Sequence, residues 1–248
     1  PRADLLREIR QRKRDRRAVV TVSTHGVSII SRRVPHGAGS NRLHRERMRM
    51  EVGMNRGANI PALGYGAFAV TLWLASMAPA DWFSPVANAT LLQPLTIVLG
   101  GCVLAVAGIV ACLRGNTLDT VLFLGFAAYW WIDGLAQHNL AEGLAPSSGW
   151  RGWYYIVWAF LVFCIWIAAC KDGVARMLFT LVLWLSLLAY ALAGWTRIDA
   201  LTVLGGYLGL LTAVVGIYIA AAQMINETHG HVVLPLGEST GDTQSRTS

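Results

Sequence analysis

The chain has 248 residues, of which 54% are apolar and 14% charged; a typical soluble domain carries about 25% charged residues, so an ordinary water-soluble globule is excluded. The formal net charge of +7 is uneven: residues 1–50 hold 14 Arg and Lys against 4 acids, leaving 7 basic and 10 acidic residues for the rest. The four cysteines, without paired short spacing, exclude a zinc site and read as packing residues inside spans.

Residues 1–55 read as a basic, disordered tail, with low hydrophobicity and a run of like charge from Arg12 to Arg17. Such a segment is drawn to anionic lipid; nucleic acid is the weaker alternative and is not expected as a partner. No apolar stretch follows these residues before the first span, so a cleavable signal is not expected. Met48, Met50 and Met54 leave open a mis-assigned gene start.

Six apolar stretches follow, at Ala62 to Ala78, Val86 to Leu113, Thr120 to Leu140, Gly152 to Cys170, Met177 to Thr196 and Ala200 to Ile225. Asp133 is the sole acid in them. Each approaches or exceeds the ~20 residues that cross a bilayer core. The expectation is an all-α membrane protein, a six-transmembrane-helix bundle over residues 56–226 with a C-terminal tail at 227–248. The basic tail places both termini in the cytoplasm by the positive-inside rule, in a multi-pass inner-membrane protein. Arg114, Lys171 and Arg176 then fall inside, and Arg151 and Arg197 outside. Small residues on the sixth span, Gly205, Gly206, Gly209, Ala213 and Gly216, predict close helix packing there. Aromatics at span ends, among them Trp82, Trp150 and Trp195, form an interfacial belt.

Three segments go further. The first is Asn59, Ile60, Pro61, Ala62, Leu63, Gly64, then Phe68 and Thr71. The second is Arg114, Gly115, Asn116, Thr117, followed by Phe123, Phe126 and Trp130. The third is Tyr218, Ala220, Asn226, Glu227, Gly230, then Leu234, Pro235, Gly237 and Glu238. Together they resemble the acetate uptake transporter family, over about Ala58 to Glu238.

The resemblance implies a homohexamer with one pathway per protomer, moving acetate and related small carboxylates, without a cofactor or metal. It also implies a narrow apolar constriction formed by Phe68, Phe126 and Leu185. Each lies nine residues beyond a helix-end anchor, Asn59, Thr117 and Arg176 respectively, or ~13.5 Å along a helix, near mid-membrane. Tyr218, eight residues before Asn226, reaches a similar depth. Asn59, Leu63, Gly64, Thr71, Asn116, Thr117 and Tyr218 are the expected substrate pathway. Asn226 and Glu227 are the motif that closes the last helix. The chain departs from the family pattern at Pro61 and Leu72, which alters the entry of the first helix, and at Leu104, Ala111 and Phe126, which makes the pathway drier.

A carboxylate in hydrocarbon is costly, and a potential negative inside adds ~2.3 kcal/mol per 100 mV against anion uptake, so proton-coupled transport of acetate, a related monocarboxylate or succinate is expected. Asp133 is the candidate proton site. The alternative is a passive channel for a small neutral solute such as urea. An enzyme is not expected, since Asp133 and His138 are the sole pair of chemical groups near a span and are five residues apart.

Overall fold

The computed structural model describes residues 59–83, 91–141 and 146–237, with side chains described throughout except at 138–141. The expected basic tail at 1–55, Glu238 and the last residues lie outside these. Among the described residues there are six helices: α1 (Ile60–Met77), α2 (Leu91–Leu113), α3 (Thr117–Ala141), α4 (Ser148–Ala169), α5 (Val174–Thr196) and α6 (Asp199–His229). All but α3 are long and apolar enough to cross a membrane. The exception is the helix that carries both Asp119 and Asp133.

Local chemistry sets the helix ends. Asn59 Oδ1 accepts from the Ala62 amide at 3.3 Å to start α1, where Pro61 occupies the first turn and sacrifices no hydrogen bond. Ser147 caps α4 through the Trp150 amide. Gly173, at φ 123°, makes the bend between α4 and α5, and Gly230, at φ 69°, ends α6 in the left-handed conformation. In α2 the stretch Thr96–Val103 winds as a π-helix. Two glycines in that stretch lie against the next layer: Gly100 beneath Trp130 and Thr71, and Gly101 beneath Trp131. The Trp131 indole donates to the Ile97 carbonyl at 3.2 Å, tying the π stretch to α3.

The helices pack as α1 on α6, α6 on α5, α5 on α4 and α2 on α3. In lipid this packing depends on close backbone approach, because lipid tails are as apolar as Leu. The small residues of α6 supply it: a Cβ on Gly216 would lie 2.9 Å from both Ala69 of α1 and the Phe179 ring of α5. Ser186 of α5 donates to the Gly205 carbonyl at 2.7 Å across the same seam. The expected stripe, Gly205, Gly206, Gly209, Ala213 and Gly216, is buried as a whole, while Tyr207, Leu211 and Val214 face outward. The cysteines depart from expectation. Cys102, Cys112, Cys164 and Cys170 are free thiols on exposed faces, because the neighbouring alanines and glycines occupy the packed ones.

Candidate functional site: an aromatic layer over a basic vestibule

Aromatic rings from three helices close on one another at the centre of the bundle. Phe68 of α1 lies 4.7 Å from Phe126 of α3 and 5.3 Å from Phe179 of α5, measured between centroids. One turn nearer the start of α1, Tyr65 meets Phe123 at 5.2 Å and Phe179 at 5.3 Å, both edge to face. All five rings are buried, and Trp130 and Trp158 extend the layer. Edge-to-face and tilted pairs at these separations each contribute about 0.5–1.5 kcal/mol beyond area burial. Gly64 makes the arrangement possible, since a Cβ there would overlap the Phe123 ring. The hydroxyl of Thr71 is turned back on its own helix, donating to the Ala67 carbonyl at 2.8 Å.

Below this layer, where α1, α3 and α5 begin and α2 and α4 end, lies an open cavity of about 970 Å³. Its wall includes Asn59, Asn116, Thr117 and Gln223, together with three cationic side chains, Arg114, Lys171 and Arg176, against one carboxylate, Asp172. The wall is therefore net positive and attracts anions.

Behind this wall is an ion pair that the charge-free stretches of the sequence did not reveal. Asp119, in the first turn of α3, is fully buried, with Oδ1 3.9 Å from Arg176 Nη1 in the first turn of α5. Asn116 holds the acid at both ends: its Nδ2 donates to Asp119 Oδ2 at 2.7 Å, and its Oδ1 accepts the Asp119 amide at 3.1 Å. Arg176 also pairs with Asp172 and lies over the Tyr65 ring, 5.8 Å from its centroid. The α5 helix that positions it is capped from a distance, with the amides of Val174 and Ala175 donating to the carbonyls of Gly237 and Leu236.

The structure sorts the residues expected from sequence. Phe68 and Phe126 meet as expected. Leu185 does not join them. It is 36% exposed, whereas Leu183 and Leu187 are 2% and 3% exposed. Two residues along a helix turn a side chain by about 200°, so α5 instead brings Phe179 to the layer. Asn59, Asn116 and Thr117 line the vestibule, but Leu63 is exposed. Tyr218 does not line the vestibule: it faces outward and its hydroxyl donates to the Pro235 carbonyl at 2.7 Å. Asn226 organises the same segment, donating to the Leu234 carbonyl and accepting from the amides of Val233 and Leu234. Glu227 has an exposed side chain and offers its carbonyl to the Gly230 amide. Asp133 lies at the other end of α3, half-buried, and accepts from Gln137 Nε2 at 2.7 Å.

Known proteins share this chain's family and fold. The profile of the GPR1/FUN34/yaaH family matches residues 47–238. A protein of unassigned function from Methanothermobacter thermautotrophicus is 30% identical over 190 residues, covering 72% of this chain and 90% of that one. The succinate-acetate/proton symporter SatP of Escherichia coli K12 is 28% identical over 195 residues, covering 76% of this chain and all of SatP. Among solved structures, the bacterial acetate channel SatP superposes with a TM-score of 0.68 at 23% identity, over 73% of this chain and all of that one. The expected family and the all-helical bundle are both borne out.

Proposed function

Since this chain belongs to the GPR1/FUN34/yaaH family of membrane transporters, we propose that it carries acetate and related short carboxylates, succinate among them, across the cytoplasmic membrane together with a proton. Its kinship with proteins named for succinate and acetate supports the substrate class. The observation that carries the reading is the succession of a net-positive vestibule and a sealed aromatic layer. The vestibule gathers carboxylates. The layer offers no charged partner to a bare anion, whose transfer into an apolar region is costly. A short acid therefore passes with its charge neutralised, and the ring spacing restricts passage to a small tail.

In this reading the vestibule opens to the cytoplasm, with both termini on that side, and the protomers assemble as a homohexamer through their exposed apolar faces. A second reading, passive flow, is favoured by the same small burden of intramembrane charge, and the solved relative is an acetate channel. Uptake of labelled succinate into proteoliposomes, with protein-free vesicles subtracted, separates the two. An inward proton gradient accelerates a symporter severalfold and an uncoupler abolishes that gain; a passive channel for the anion, with the membrane potential held at zero, gains nothing from the gradient. No uptake above the protein-free level would overturn carboxylate transport altogether.

A further inference from the structure

Arg176 and Asp119 are both placed by the first turn of a helix, yet they face different surroundings. Arg176 lines the vestibule with its side chain 14% exposed; Asp119 is fully buried and stands behind Arg176 and Asn116. Both carboxylates near Arg176, Asp119 and Asp172, make their closest approach to the same nitrogen, Nη1. At 3.9 Å the contact with Asp119 is an ion pair without a hydrogen bond, and Asp119 Oδ1 has no hydrogen-bond partner. A guanidinium offers five donors in a planar fork matched to a carboxylate, and this geometry uses little of that capacity. Two further buried groups border the site. Gln223, 8% exposed, lines the vestibule with Oε1 unpaired, and the Tyr65 hydroxyl, at the underside of the aromatic layer, adjoins Asp119 without a hydrogen bond of good geometry. The backbone amides at the start of α5 are not available to an anion, because Gly237 and Leu236 occupy them.

We propose that Arg176 is the carboxylate-binding residue of the vestibule and that Asp119 and Asp172 are built-in competitors that weaken its hold on substrate. This rests on the reading that the protein moves short carboxylates, and it adds the residue that receives them. An incoming carboxylate takes the guanidinium fork in a two-bond arrangement, while the internal carboxylates keep the affinity low enough for release. Low affinity favours throughput, because a site that binds too tightly does not let go.

The proposal has an unusual sign. Removing an acid next to the site tightens binding, whereas a purely structural role for Asp119 makes its loss weaken binding. The test uses the detergent-purified full-length chain, with acetate as probe and saturation-transfer NMR as readout. Arg176→Gln should weaken acetate binding by about tenfold or more, the scale of a lost charge-assisted pair, both alone and in the Asp119→Asn background, where no buried acid is left stranded. Asp119→Asn, which keeps a partner for Asn116, should tighten it severalfold. Unchanged binding in Arg176→Gln, or weaker binding in a folded Asp119→Asn, overturns the proposal. Should Asp119→Asn fail to fold, Asp172→Asn at its exposed turn must shift affinity in the same tightening direction, and binding that stays level or weakens overturns it. Labelled-succinate uptake by the wild type is measured in parallel. Binding with these signs and no uptake would sink the transport reading alone; normal uptake with wild-type binding in Arg176→Gln would sink this inference alone.

Discussion

The two ends of α3 treat an acid in opposite ways. At the vestibule end Asp119 is fully buried, faces a cation and is gripped by Asn116 on both oxygen and amide. At the other end Asp133 is half-buried and receives one hydrogen bond from Gln137, four residues along the same helix. Each acid takes its hydrogen bonds from its own helix end, but the first also faces a charge on another helix. Burial of a charge is tolerated when a partner charge and hydrogen bonds come with it. An acid so held reports on the element it binds, here α5, whereas a locally satisfied acid reports little beyond its own turn.

That contrast is breakable by mutation. The largest effect is expected for Arg176→Gln, which strands Asp119 in the interior: loss of one partner of a buried pair typically costs about 3–5 kcal/mol. Its unfolding midpoint in detergent should fall well below that of Asp119→Asn/Arg176→Gln, in which neither charge remains. Equal midpoints would mean the pair is not coupled. Phe68→Ala comes next, removing the ring that touches both Phe126 and Phe179. A cost of about 3 kcal/mol or more is expected, with uptake opened to longer acids in competition assays. Asn226→Ala loses the groups that hold Val233 and Leu234. It should cost about 1–3 kcal/mol and expose residues 231–237 to limited proteolysis. At the far end Asp133→Asn should leave both the uptake rate and its pH dependence near wild type; a changed pH profile would make the two ends of α3 equals. The smallest effect is expected for Leu185→Ala, within about 0.5 kcal/mol as for an exposed position, with an unaltered substrate range. A widened range would restore Leu185 to the constriction.

The sequence made the six helices legible because their apolar runs are long, and the family motifs named Phe68 and Phe126, which meet in the aromatic layer, and Asn59 and Asn116, which line the vestibule. The central pair was hidden by the rule that found the spans. Excluding charged residues trimmed α3 to Thr120 and α5 to Met177, while the helices begin at Thr117 and Val174. The removed turns hold Asp119 and Arg176. A signal was available, an acid following an Asn-Thr helix start and an Arg opening another span, but nothing in one sequence says that those turns adjoin. Leu185 failed for a different reason. Counting nine residues from a helix end fixes height along an axis and leaves the direction around it free, so an exposed position and a core position two residues apart look alike. Tyr218 erred likewise: the buried residue of that turn is Ile219.

The cap on α5 has a consequence for biogenesis. The carbonyls that satisfy its first amides belong to Leu236 and Gly237, among the last residues described, and Tyr218 and Asn226 latch the segment that delivers them. Those carbonyls are made after every helix of the bundle. The first turn of α5, and with it Arg176, is therefore finished only after α6 and the segment that follows it have been made. A chain that stops early would reach the membrane with its helices in place and its charged mouth still unset.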